Sequence, residues 1–553
     1  MNLSLFKNGS PTRFFRLIFV ISALAFAGLL SVKSTIVWIV VSVPFVIIAL
    51  IFLSFRSRFL DVLFENLSNP RIASSAMLAA YGSQYYASVF QSRLNNLAAE
   101  ISNHNLYSII THFGAPLSFL AGVISSLALF VYLYWFITWF SALLKRLIVT
   151  LSKVERWFIL CSTILCAILI IIVYTRTSLF FEPNAYASNG VDKVDILYTT
   201  DTSSLIGQNV FINISAREND IRQPLFGIFS APFALIAGLG ASLLHIQNAY
   251  CMLLQIIQSA LLILSLAMIS SMMPANEPLG KILFLLVTIT LFPTMLFALN
   301  IEQYIMPVFW LILLIWQFIS NDSGSKSVTW VAASGSMLTS GIFLLLASSS
   351  KSWRDRIKDY SRSIGLFAFI SLIFGRVPMI LSSTTSIKSL LVFSGSKLPF
   401  IEQLKQYVSF VSSCLLVPLS RIVQYSPTKI AYHQSAVSQW SIPGLIFLIL
   451  AFTGFLVNRK NTYYRICFGW ITFSFLLLGV FGWGTAENGL LLYTLYFYWA
   501  FFSLIVALVY RLFANKKWVR YTVLIFGFFA LLFFNSSGLA KILDFGISFY
   551  PLQ

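Results

Sequence analysis

Residues 157 to 175 read WFILCSTILCAILIIIVYT, a run without a single charge, with Lys145, Arg146, Lys153 and Arg156 standing just before it. Wound as a helix at ~1.5 Å per residue, such a run is long enough to cross the ~30 Å hydrocarbon core of a bilayer. Comparable runs recur near 17 to 54, 113 to 142, 224 to 271, 281 to 319, 328 to 349, 363 to 381, 441 to 457, 466 to 482, 489 to 510 and 521 to 534. Several of these must hold two helices, which gives roughly 11–14 membrane segments. Leu, Ile and Phe occupy these runs throughout instead of alternating with polar residues, so helices are expected and an outer-membrane barrel is not. The fold class read from the chain is all-α, a polytopic transmembrane helical protein.

Composition agrees. Of 553 residues, 58% are hydrophobic and only 10% charged, whereas a soluble domain carries about 25% charged residues. The net charge of +19 does not point to nucleic acid, because the Lys and Arg fall in short clusters between apolar runs. Clusters at Lys7/Arg13/Arg16, Lys145/Arg146/Lys153/Arg156, Lys351/Arg354/Arg356/Lys358/Arg362, Arg459/Lys460/Arg465 and Arg511/Lys516/Lys517/Arg520 follow the positive-inside rule and are expected in the cytoplasm. The five cysteines have no paired spacing and the four histidines no metal spacing, so neither a disulfide framework nor a zinc site is indicated. No cofactor is called for, and nothing specific supports a divalent metal.

Counting outward from 157–175, the polar stretch 176 to 223 is expected on the far face. It contains Glu182, Asp192, Asp195, Asp201, Glu218 and Asp220, six of the chain's 18 acids, where a plain connection would run ~4–6 residues. A second long loop, 382 to 440, belongs on the same side, and its segment 401 to 425 has the mixed helical spacing of an interfacial helix able to roof a lateral opening for lipid. Strict alternation through 224 to 349 would put Glu302 in the cytoplasm; keeping it outside with every basic cluster inside requires 281 to 299, interrupted by Pro293, and 329 to 349, interrupted by Ser334-Gly335-Ser336 and Ser340-Gly341, to be broken hairpins. It also requires one early run, taken as 113 to 142, to be re-entrant. The chain divides into an N-terminal membrane region 1–150, a core 151–350 containing the acidic loop, and a C-terminal membrane region 351–553.

The stretch Tyr198-Thr-Thr-Asp-Thr-Ser-Ser, followed by Glu218-Asn-Asp-Ile-Arg-Gln-Pro-Leu-Phe226, resembles the first external loop of GT-C-fold membrane glycosyltransferases of the bacterial envelope type. Asp201-Thr202 and Pro224-Leu225-Phe226 match the pattern; those enzymes commonly have His where this chain has Gln223. The resemblance covers roughly 157 to 350. It implies an inverting transfer of sugar from a polyprenyl-phosphate donor to an envelope glycan or lipid-linked acceptor, in cell-envelope polysaccharide biosynthesis. It also implies a multi-pass protein of the bacterial plasma membrane with its active site facing outward.

Such chemistry needs a carboxylate within ~2.6–3.2 Å of the attacking hydroxyl and cations for the departing phosphate. Asp201 is the candidate base and Asp220 the second carboxylate, though each also reads as an ordinary solvated loop acid. Arg222 and Arg376 are candidates for phosphate, with interfacial anchoring as the other reading of each. Glu302, in Ile301-Glu-Gln-Tyr-Ile at the head of an apolar helix, corresponds to an acidic residue of the family, and helix capping is its other reading. Glu487 and Asn488, in the turn Gly482-Trp-Gly-Thr-Ala-Glu-Asn-Gly, are candidates for sugar hydroxyls with Trp483 against a ring face. Two alternatives remain open: a polysaccharide polymerase or O-antigen-ligase-like enzyme, which would rely on Arg421, Lys429 and His433, and a lipid-linked glycan flippase.

Overall fold

The computed structural model describes residues 69–83, 85, 114–181, 195–198, 200, 202–212, 222–273, 277–322, 324–343, 352–373, 398–426, 429–484 and 490–552. The chain divides into two compact units, 1–147 and 148–553. The first contains helix α1 (70–83) and most of α2 (Gly114–Thr150). Helix α2 runs unbroken for 37 residues, so the run 113 to 142 is not re-entrant as its charge parity suggested. It has no proline after Pro116 to interrupt the backbone ladder.

The second unit is built from α3 (Lys153–Tyr174), the short α4 (Thr202–Gly207), α5 (Phe226–Leu244), α6 (Ala249–Met272), α7 (Pro278–Ile289) and α8 (Phe292–Leu299). There follow α9 (Ile305–Ile319), α10 (Lys326–Ser336), α11 (Trp353–Ile373) and α12 (Phe400–Ser413). Strands β1 (Ser420–Ser426) and β2 (Lys429–Gln434) precede α13 (Ile442–Asn458), α14 (Thr462–Ser474), α15 (Leu491–Leu512) and α16 (Lys517–Phe549). Seven of the described helices are long and apolar enough to cross a membrane, and the bent pair α7–α8 adds an eighth if it is one span. Helix α9 is apolar all round and buried from Ile305 to Gln317, as a helix packed on every side by other helices must be. Between membrane helices this packing rests on van der Waals contact and interhelical hydrogen bonds.

Both interruptions read from the sequence are real. Helices α7 and α8 meet at 64°, with Pro293 in the first turn of α8, where its missing N–H costs nothing. Helix α10 stops at Ser336 and continues as a 3-10 turn, Leu338–Phe343. The 401–425 segment differs from its expected form. The helix ends at Ser413, and the remainder turns at Pro418 into strand β1, whose register with β2 pairs Arg421 with His433 and Ile422 with Tyr432. Pro418 removes a donor and restricts the residue before it, and Ile422, Val423 and Tyr425 favour extended backbone.

The bundle has two chemically distinct ends. At the basic end, α3 begins with a capping box in which the Ser152 backbone N donates to Glu155 Oε2 at 2.7 Å. The other oxygen of that buried Glu155 accepts from Lys281 Nζ at 2.8 Å. Nearby, Glu277 accepts from Lys517 Nζ at 2.7 Å and Arg520 Nη2 at 2.6 Å, and from the Tyr521 hydroxyl. The Lys517 ammonium, and after it the Tyr521 hydroxyl, draw the Glu277 carboxyl down to about 2. A depressed carboxylate stabilises the fold above its ordinary value of 4.5 and loses that contribution as pH falls through 2. Thermal unfolding in detergent should therefore move to lower temperature as pH drops from 4.5 toward 2, and Glu277→Gln should flatten that dependence.

One close approach fixes α12 against α13. A Cβ at Gly444 would stand 1.9 Å from the Val408 carbonyl oxygen, so α12 and α13 cross with no room for a side chain. Gly444→Val is expected to lower stability by ~1–3 kcal/mol, read as a drop in unfolding temperature, because the backbone cannot yield as a side-chain tip would.

Candidate functional site: a polar seam at the loop-bearing end

Opposite the basic end, chain segments far apart in sequence are stitched together. The Ser178 backbone N donates to the Tyr550 carbonyl at 3.0 Å, and the Tyr550 hydroxyl donates to the Ile430 carbonyl at 2.5 Å. The Tyr198 and Tyr432 backbones bond at 2.7 Å, with Tyr432 N reaching Ile196 at 2.7 Å. The described end of the acidic loop therefore lies against the β1–β2 hairpin, so the two long loops meet at one end of the bundle. Tyr198 takes φ 54°, a left-handed conformation unusual for an aromatic residue, held by the Tyr432 carbonyl and by its hydroxyl on Ser420 Oγ at 3.1 Å. Burial raises the Tyr198 hydroxyl above its ordinary range.

Beneath these loops runs a polar seam inside an otherwise apolar bundle. Helix α6 presents Gln255, Gln258 and Ser259, spaced three and four apart and so on one face. They meet the end of α8, whose last carbonyls have no partner within the helix. Gln255 Nε2 donates to the Phe297 carbonyl at 2.8 Å, Ser259 Oγ to Ala298 at 2.7 Å, and the Tyr174 hydroxyl to Leu299 at 2.9 Å. The chain then passes through Asn300, Ile301 and Glu302 before α9 starts. Thr202 Oγ1, at the start of α4, lies 3.1 Å from Asn300 Oδ1 and 3.0 Å from the Ile301 carbonyl. The Glu302 backbone N donates to Gln258 Oε1 at 3.3 Å, and its carboxylate accepts from the Gln303 backbone N at 2.8 Å.

Glu302 is fully buried and stands three residues ahead of α9, whose N-cap, Tyr304, makes no side-chain cap. Tyr304 packs edge-on against Tyr493 at 5.7 Å, and Trp483 Nε1 donates to the Tyr493 hydroxyl at 2.8 Å. Three distant parts of the chain therefore converge on 300–304: the acidic loop through Thr202, α6 through Gln258, and the late Gly-rich turn through Trp483.

Arg222 is half-buried at the mouth of α5, where its carbonyl accepts from Leu338 N at 2.7 Å and Leu225 N reaches the Gly335 carbonyl at 2.7 Å. The Pro-Leu-Phe entry thus docks on the break in α10. Asp201, Asp220, Arg376, Glu487 and Asn488 lie outside the described residues. Asn300, Gln258, Tyr304 and Tyr493 were not picked out from sequence. The paired glutamines inside an apolar run were the legible signal, since polar groups in membrane helices are costly and tend to be functional. Among the described residues no group of three His, Cys, Asp or Glu is placed to hold a metal. The seam offers one carboxylate with neutral amide and hydroxyl groups, an arrangement suited to orienting hydroxyls in a water-poor setting where electrostatic contacts are strong. On the hairpin above, Arg421 faces His433, whose imidazole is pushed below its ordinary value by burial and then by the Arg421 charge.

Fold and composition together define an integral, multi-pass, all-helical membrane protein. Against known proteins, the chain matches no family profile, no curated protein and no solved structure.

Proposed function

We propose that the protein is an inverting glycosyltransferase that moves a sugar from a polyprenyl-phosphate donor to an envelope glycan or lipid-linked acceptor. The observation that carries this reading is Thr202, which follows Asp201 directly in the chain and is hydrogen-bonded to Asn300 and Ile301 beside the buried Glu302. The pair Asp201-Thr202 and the acid at position 302 are the two elements that the loop resemblance to GT-C enzymes joins in one site.

In the proposed reaction the acceptor hydroxyl oxygen bonds to the anomeric carbon from the face opposite the phosphate. The bond from that carbon to the phosphate oxygen breaks, and polyprenyl phosphate leaves with the electron pair. The hydroxyl proton passes to the Asp201 carboxylate. Asp220 orients the acceptor, and Glu302 holds a sugar or acceptor hydroxyl. Arg222 and Arg376 neutralise the phosphate, while Glu487 and Asn488 bind sugar hydroxyls.

A second reading, a polysaccharide polymerase or ligase, draws support from the facing pair Arg421 and His433. The two separate in one experiment on purified protein in nanodiscs with a polyprenyl-phosphate sugar. Asp201→Ala should lower transfer by about 10²–10⁴-fold while donor binding survives, and Arg421→Ala should leave transfer largely intact. The reverse pattern favours the ligase, and indifference to both leaves a flippase.

A further inference from the structure

Beneath α12 lies an apolar cleft of about 290 Å³ that takes no part in the polar seam. Leu404 and Tyr407 of α12 cover it, Trp440 stands at its rim, and Ala451 of α13 with Phe468 and Thr472 of α14 form its walls. Three observations bear on its chemistry.

The first is its setting. Ile446, Ile449 and Leu456 of α13 and Leu476 after α14 are exposed apolar side chains, and Thr462–Val480 is long and apolar enough to span a membrane. Leu448 and Phe452, which also line the cleft, lie roughly 9–15 Å into α13 at ~1.5 Å per residue. The cleft thus lies among exposed apolar side chains of two apolar helices. Lining atoms there gain dispersion energy only from a chain that enters.

The second is its floor. The Tyr407 hydroxyl bonds Ser474 Oγ at 3.0 Å, the Tyr407 ring meets Phe475 edge-on at 5.3 Å, and Gln403 packs so closely on Gly482 that a Cβ there would lie 2.8 Å from it. Helix α14 widens into a π turn, Phe475–Val480, at this wall. These contacts tie α12 to the π turn and to the 482–484 turn, and none of the residues lining the cleft belongs to the Trp483–Tyr493–Tyr304 line that leads to Glu302.

The third is a cation on the residue that follows Leu404, bonded two residues before Trp440. Lys405 Nζ bonds Glu402 Oε1 at 2.8 Å and the Ser438 carbonyl at 3.3 Å, and an ammonium carries a third proton that suits a headgroup phosphate.

We propose that this cleft is a binding site for one acyl chain of a bilayer phospholipid, with its phosphate at Lys405, separate from the site of the sugar chemistry. The chain props α12, and through Gln403 and the 482–484 turn it supports the position of Tyr493 over Tyr304. The inference does not rest on the glycosyltransferase reading.

The test uses the full chain in nanodiscs containing a phosphatidylglycerol with a photoreactive diazirine in one acyl chain, followed by peptide mapping. Labelling should concentrate on the cleft segments of α13 and α14, at least fivefold above the lipid-facing Phe526 to Phe533 stretch of α16. Ala451→Trp, which fills the cleft, should remove that excess, and added polyprenyl phosphate should leave it unchanged. Equal labelling of the cleft and α16 in the unaltered protein overturns the proposal without any variant. Displacement by polyprenyl phosphate overturns it too, by making the cleft a carrier-lipid site.

Discussion

Sugar transfer by an Asp201→Ala variant is expected to fall by about 10²–10⁴-fold, the range that a positioned general base contributes. Donor binding should change little, because the carboxylate acts on the acceptor proton and not on the phosphate. Glu302→Gln is the informative companion. It keeps the size of a fully buried side chain and an oxygen able to accept from Gln303 N, so the seam should remain assembled while the negative charge is lost. A transfer rate reduced about tenfold or more, with an unchanged unfolding temperature, would tie the charge to catalysis. A variant that unfolds several degrees lower with normal turnover would make Glu302 a packing residue, and full activity in Asp201→Ala would remove the proposed mechanism altogether.

Asn535→Leu is expected to cost about 2–5 kcal/mol, a large share of the ~5–15 kcal/mol that separates folded from unfolded chains. Asn535 is fully buried in the middle of α16. Its Nδ2 donates to the Thr290 carbonyl at 2.7 Å and to Leu415 at 2.8 Å, and its Oδ1 accepts from Val417 N at 2.8 Å. Thr290 is the end of α7 at the 64° break, and Leu415 to Val417 is the turn leaving α12. One side chain thus satisfies backbone groups freed at two interruptions, in a setting with no water to replace it. Leucine fills the volume but leaves those groups unpaired. Unfolding in detergent against denaturant would read the loss; a change under about 0.5 kcal/mol would show that the backbone finds other partners.

The spanning helices were legible because a bilayer imposes a length and an apolar content that nineteen-residue windows such as 157–175 display openly. The breaks at Pro293 and at Ser334-Gly335-Ser336 were legible for the same local reason, since proline and glycine act on their own backbone. The strand pair after Ser413 was not, because a short amphipathic segment reads alike as helix or strand until its partner is known. Nor was the unbroken course of α2, where the charge parity of flanking loops pointed the wrong way while the apolar run itself, without proline after Pro116, favoured continuity.

Of the candidate site, Glu302 and the Asp201-Thr202 pair stood out by residue type and neighbouring motif. The residues that connect Thr202 to Glu302 did not. Thr202 and Asn300 are separated by about a hundred residues, and only the packing of α6 against the end of α8 lays Gln255, Gln258 and Ser259 along the carbonyls that lead to Glu302. The sequence by itself determined that this chain is a multi-pass helical membrane protein with a basic end, because burial in hydrocarbon is written residue by residue. Tertiary structure alone decided which polar groups meet, since a hydrogen bond between distant segments depends on where helices stop and cross, and no local propensity records that.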